Sequence, residues 1–433
     1  MTGRWPAFSW LIAALFFAPD ARSEAGSSDA LPEPLVYEFA LGLIDEMHPS
    51  LLQAEELINA AAADVEAAKA RDALSVNLQG RLRWVDPAPT SSVQDRDDHR
   101  LSLFASKRLW DFGRTGGGIV AAEQELESRA WGLVEARTRK RLEIMERYFD
   151  VLIADLEFAH NEEAMAIGYI RSLRARDRRE LGQASDIDVL KTESEYQATR
   201  QARYASKSRQ RASRARLASV LNHPRKLSST LVPPKLPEIG FKLPNLELLQ
   251  KLADERNSSL TILRAQVEAA RGRVASARAE YLPVLSAEAE TAVYSRDLSS
   301  NDRWRAGLVL DVPLYQGARV SAQVSKQRAA LYGQEAGLED RRREVQQAVL
   351  ETWLELESLL IQKQARDAQA KFRELYLDRA RAVYEMELRS DIGDAMVELT
   401  HSNLQTARNH YQIALAWARL KALTRSEFED MQP

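Results

Sequence analysis

Asp95 to His99 reads DRDDH, which sets aspartates and a histidine, the ligand types of a divalent cation, within one short run. The run lies inside DPAPTSSVQDRDD, a polar stretch between two alternating segments, so it reads as a solvated hairpin loop. TGGG, Thr115 to Gly118, opens a helical stretch as a phosphate-binding loop would. It lacks the lysine and hydroxyl of a P-loop and reads as a flexible or close-packed joint between strand and helix. The 6 histidines are scattered, with no HExxH and no Ser/His/Asp arrangement. With 0 cysteines, disulfides, thiolate catalysis and Cys-ligated metal are excluded, and so is a lipid anchor on an N-terminal Cys. Catalysis, cofactor and metal are therefore not expected. The many arginines from Arg171 to Arg216 are interleaved with acids and read as a solvated helix face. With a net charge of -3, the chain does not look like a nucleic-acid binder.

The elements around these residues are more telling. The chain has 433 residues, 45% hydrophobic and 28% charged, so it is ordered and large enough for more than one domain. Residues 1–23 have the layout of a secretory signal: Arg4, an apolar core from Ala7 to Ala18, then small residues near Ala21, Ser23 and Ala25. Cleavage is expected after Ser23 or Ala25. No later stretch is apolar for long enough to be a spanning helix.

The remainder repeats one plan. When LWDFGR (Leu109 to Arg114) is laid over LYQGAR (Leu314 to Arg319), Glu146 meets Glu351 and Tyr148 meets Trp353. With small shifts of the kind loops tolerate, HPSLL from His48 meets NSSLT from Asn257, and SDID from Ser185 meets DIGD from Asp391. The expected units are residues 24–222 and 245–424, joined by a Pro- and Ser-rich connector, 223–244, with a tail at 425–433.

Each unit opens with an Ala/Glu/Leu/Arg-rich helix, Leu51 to Leu74 and then Leu260 to Leu282. Two strands follow. Val76, Leu78, Gly80, Leu82 and Trp84 alternate with Ser75, Asn77, Gln79, Arg81 and Arg83; Trp304, Ala306, Leu308, Leu310, Val312 and Leu314 alternate with Arg305, Gly307, Val309 and Asp311. Ala287, Ala289 and Thr291 give the other strand of the second pair a softer apolar face. Proline-free stretches from Arg114 to Leu181 and from Arg319 to Leu388 could each extend about 100 Å as helix. Their apolar residues, Leu142, Met145, Phe149, Leu152, Leu156 and Ala159, then Val349, Trp353, Leu356 and Leu360, fall near a heptad, which suits coiled-coil packing. Gly113 and Gly317 relax the backbone where strand gives way to helix, beside Arg114 and Arg319. Turns at Leu181 to Asp188 and Leu388 to Asp394 then lead into return helices, which Ser185, Asp186 or Asp391 could cap. Four strands cannot close a membrane barrel, which needs at least about eight, so several chains would have to contribute.

This ordered set resembles the TolC-like outer membrane efflux proteins. The matching features are the His48-Pro49 segment, LWDFGR, LYQGAR, and the turns GQASDIDVL and RSDIGDAMV, over about Leu35 to Thr424. The resemblance implies a mainly α fold with a small β part. In it, duplicated units assemble as a homotrimer whose 12-stranded barrel sits in the Gram-negative outer membrane, within the lipid. A long α-helical barrel continues it across the periplasm. It implies a passive exit duct of a tripartite efflux pump or a type I secretion system. A periplasmic adaptor and an inner-membrane transporter are the partners, and the transporter supplies the energy. It further implies that the tips close the duct and carry acidic rings facing the pore. Asp394 matches one such position, Val397 replaces a second, and Asp391, Asp188 and Asp186 are further candidates. Capping and pore roles stand side by side for these carboxylates. Leu181, Gly182, Gln183 and Ala184 match the adaptor-docking turn, with Arg389 and Ser390 in the other half. The rival reading is a periplasmic adaptor or another structural coiled-coil protein.

Overall fold

A computed structural model describes residues 32–45, 48–91, 93–223, 230–236, 243–296, 301–386 and 391–425. The expected secretory signal, Arg389, Ser390, much of the expected connector and most of the expected tail lie outside the described residues. A short helix, α1 (Tyr37–Gly42), and a 3-10 turn lead into α2 (Pro49–Ala70). His48 caps α2 by accepting a hydrogen bond at Nδ1 from the Ser50 N–H (3.2 Å), and Pro49 sits in the first turn, where no donor is needed. Strands β1 (Ser75–Arg81) and β2 (Arg100–Trp110) follow, then α3 (Arg114–Glu180) and α4 (Asp186–Val220). Beyond the connector, α5 (Leu246–Arg256) abuts α6 (Ser258–Arg278). Asn257 caps α6 through Oδ1, which accepts from the Ser259 N–H at 3.0 Å. The order is then β3 (Val284–Tyr294), β4 (Trp304–Asp311), α7 (Arg319–Glu385) and α8 (Ile392–Thr424). Helices α3 and α7 are each 67 residues long, about 100 Å of unbroken helix.

The strands form one antiparallel sheet in the order β1-β2-β3-β4, so the two strand pairs join through β2 and β3. Alternation in the sequence runs on to Trp84, but the β1 ladder ends at Arg81 and resumes only as a single bridge between Trp84 and Asp97. Pro87 and Pro89 follow, and neither can donate to a ladder.

The principal cores lie midway along the long helices. In one, Tyr37, Tyr148, Phe149 and Tyr411 pack ring against ring, with Leu35, Leu217 and Leu231 around them. Tyr148 is fully buried, and its hydroxyl lies 2.9 Å from the Leu35 carbonyl and 2.8 Å from that of Val232. In the other, Leu249, Leu260, Val349, Leu356 and Leu420 join α5, α6, α7 and α8. The heptad stripe is an incomplete description of α3. Phe149 and Leu152 are buried, but so are Ile144, Tyr148, Val151 and Ala154, and Ala159 is exposed. Several elements cover α3 there, so its buried face is wider than a two-helix seam. Towards its ends the buried residues are small: Thr115, Ala121 and Ser128, then Ser172 and Ala175.

Candidate functional site

Directly opposed residues of an antiparallel pair share a face. The register therefore gathers Leu78, Leu103, Ala289, Ala306, Leu308 and Trp304 on one side of the sheet. Gln79, Ser102, Ser106, Glu288, Glu290 and Arg305 lie on the other. The apolar side is uncovered: Leu78 is 70% exposed, Leu308 69% and Trp304 76%. A continuous exposed apolar face is what lipid, not water, accommodates. Exposed aromatics mark both ends of the sheet, Trp84 and Trp304 near the hairpin loops and Trp110, Phe112 and Tyr315 near the helices. Such pairs of girdles suit the two interfaces of a bilayer. The 11 residues of β2 rise about 36 Å, enough for a tilted strand to cross. Trp and Tyr at the strand ends are the sequence signal for these girdles, beside the alternation of the strands themselves.

At the strand-to-helix joints, Gly113 (φ 89) and Gly317 (φ 59) both adopt the left-handed backbone that glycine tolerates best. The Asp111 carboxylate caps α3, accepting from the Thr115 N–H (2.7 Å), the Thr115 hydroxyl (2.6 Å) and the Gly113 N–H (3.2 Å). The signal for it was an Asp with Gly two residues on and Thr four on. Arg114 and Arg319, far apart in sequence, converge on Glu280, at 3.8 Å and 3.1 Å from its two carboxylate oxygens. TGGG is a close-packed joint at Gly117. A Cβ there would stand 2.8 Å from the Gly272 carbonyl oxygen, so α3 and α6 meet backbone to backbone.

At the far end of α3, Gly182 (φ 70) stops the helix. Its N–H donates to the Arg179 carbonyl, and the Gln183 N–H to that of Arg178, a Schellman ending. Ser185 then caps α4. Its hydroxyl accepts from the Asp188 N–H (3.2 Å), and Asp188 accepts in return from the Ser185 hydroxyl (2.8 Å) and N–H (3.0 Å). Those Ser185 hydrogen bonds hold the Asp188 carboxyl below its ordinary range. Asp186 pairs with Arg179. Asp391 occupies the N-cap position of α8 without a side-chain cap bond. Asp394 reaches across to Arg171 of α3, tying the two helix pairs together near the tip. Leu181, Ile187 and Leu190 are exposed around the first turn, with Gly182, Gln183 and Ala184 between them. In the hairpin loop, Asp98 pairs with Arg83 and the His99 ring meets Trp84 edge-on. The described residues contain no cluster of three or more metal-ligating side chains.

The outer membrane efflux protein family matches residues 41–223 and 249–424. The alkaline protease secretion protein AprF of Pseudomonas aeruginosa is 23% identical over 88% of this chain and 84% of its own length. The proteases secretion protein PrtF of Dickeya chrysanthemi is 24% identical over 59% of this chain, which spans 56% of that protein's length. The solved outer membrane protein VceC of Vibrio cholerae shares the fold, with a TM-score of 0.73 and 16% identity over 91% of this chain and 97% of that one. The chain belongs to the outer membrane efflux protein family and is an outer membrane exit duct with a helical periplasmic part.

Proposed function

We propose that three copies of this chain form the duct, as a passive conduit driven by an inner-membrane transporter and coupled to it through a periplasmic adaptor. The observation that carries this reading is the sheet. It has a bare apolar face, a polar face, and two unpaired edges, β1 and β4. Open edges do not persist in lipid, and three such sheets joined β1 to β4 would close a barrel of twelve strands. Two units of helix, strand pair, long helix and return helix per chain would then give the helical barrel beneath it. Both curated relatives are named for protease secretion, which favours a polypeptide cargo and a type I secretion setting over drug efflux.

At the tip, Arg171 and Asp394 form one tie of a closed entrance, while Asp186 and Asp391 stand at the starts of the two return helices. Asp188 serves the cap of α4. The exposed Leu181 to Ala184 turn, flanked by Ile187 and Leu190, is the adaptor-docking surface, with Arg389 and Ser390 its proposed counterpart in the other half.

The absence of cysteine makes the assembly testable. In a Gln79→Cys/Gly307→Cys variant, a flexible bis-maleimide should link β1 of one copy to β4 of the next in isolated outer membranes. Covalent trimers on denaturing gels are expected, with neither single variant going beyond dimers. A double variant that stays monomeric in the outer membrane would refute the closed trimer.

A further inference from the structure

Near its hairpin-loop end, the polar face of the sheet carries three arginines, Arg81, Arg100 and Arg305, and a single carboxylate, Glu290. Arg81 stands directly across from Arg100, an opposition of like charges that weakens a strand pair. Glu290 is 8% exposed and pairs with both Arg100 and Arg305. Arg100 is opposite Tyr294 in the register, so its side chain runs along the sheet to reach Glu290 and passes 5.6 Å from the Tyr294 ring centroid. Its Nε is buried with no hydrogen-bond partner. Among the described residues Arg81 has no ion-pair partner. One carboxylate offsets one of these cations and leaves an excess of two per protomer. The first hairpin loop adds two aspartates, Asp95 and Asp97, beyond Asp86 and Asp98, which are paired with Arg96 and Arg83; the second is balanced by count, Arg296 and Arg303 against Asp297 and Asp302, so the positive excess belongs to the polar face of the strands and not to the loops. On the same face, Glu288 and Asp311 lie towards the helices, opposed by Arg108. Charge is thus sorted along the strands, positive at the loop end.

We infer that this face forms a basic belt on the lumenal wall just inside the hairpin loops, which attracts and passes carboxylate-bearing polypeptide. The inference rests on the duct reading, which turns the polar face to the lumen. Three protomers would repeat the excess around a narrow water-filled wall, where fields are focused and screening is weaker than in open solvent.

The test uses the purified full-length protein in planar bilayers, with poly-L-glutamate or poly-L-lysine added on the hairpin-loop side. Poly-glutamate is expected to block the current and poly-lysine to leave it unaltered. Arg81→Ser, which breaks no ion pair, should weaken the poly-glutamate block by about threefold or more. Glu290→Gln, which adds one net positive charge per protomer, should tighten it. Channels that respond equally to both polymers, or an Arg81→Ser block equal to wild type, would overturn the belt and leave the duct standing. A wild-type protein with no conductance at all would overturn the duct reading, and the belt with it.

Discussion

Gly117 and Gly272 set how closely α3 and α6 approach beneath the sheet. A methyl on Gly117 would meet the Gly272 oxygen and the Ser276 nitrogen, both at 2.8 Å, and backbone cannot swing aside as a side chain can. Gly117→Ala is expected to cost about 1–3 kcal/mol. Gly116→Ala, one position away in open space, should gain about 0.5–1 kcal/mol from reduced chain entropy. Thermal unfolding of both variants in detergent checks the pair. His160 supplies a pH dependence. Its Nδ1 lies 3.1 Å from the Thr400 hydroxyl, and its ring 5.2 Å from that of His401. Burial first, and His401 second, lower its pKa below the ordinary value, against the opposing pull of Glu398 and Glu157. Its neutral form is the one the fold favours. The contribution is full above the unfolded value, about pH 6.5, and is lost as pH falls through the folded one. The wild-type melting temperature should therefore drop on acidification more than that of His160→Gln. Parallel slopes would disprove the assignment.

At the scale of elements, the long helices were legible because an absence of proline and an abundance of good helix formers are local facts. Their stops were legible too, since Gly182 and Ser185 are residues that end and begin helices wherever they stand. The cross-links between elements were not. Nothing local tells Asp394 that Arg171 is its neighbour, or Arg114 and Arg319 that Glu280 lies between them. Both Asp394 and Arg171 are about half exposed, so their tie adds little to folding stability. Asp394→Ala is thus expected to leave the melting temperature within about 2 °C, the shift of a few tenths of a kcal/mol, while raising the resting ion conductance of the reconstituted channel. Unaltered conductance would remove Asp394 from the gate.

For the whole molecule, the sheet predicts an asymmetry between its faces. Leu308→Arg places a charge on the apolar face and should cost about 2–4 kcal/mol, lowering the amount of protein recovered in outer membranes. Val309→Arg, the next residue, points to the polar face and should be tolerated. Equal recovery of the two variants would contradict the assignment of lipid and lumen.

By itself, the sequence determined the strand alternation, the long helices, the glycine joints and the Ser185 cap. Each is specified by residues within a few positions of one another, where backbone propensity and side-chain period act directly. The tertiary structure decided that the two strand pairs fuse into one sheet through β2 and β3. It decided that the mid-helix cores are wider than a heptad seam, and that arginines from both halves share Glu280. It also decided that Arg100 and Arg305 meet on one carboxylate, Glu290, with Arg81 opposed to Arg100. These depend on long-range register, and two strands or helices distant in sequence reveal their shared neighbours only once packing has fixed which faces meet.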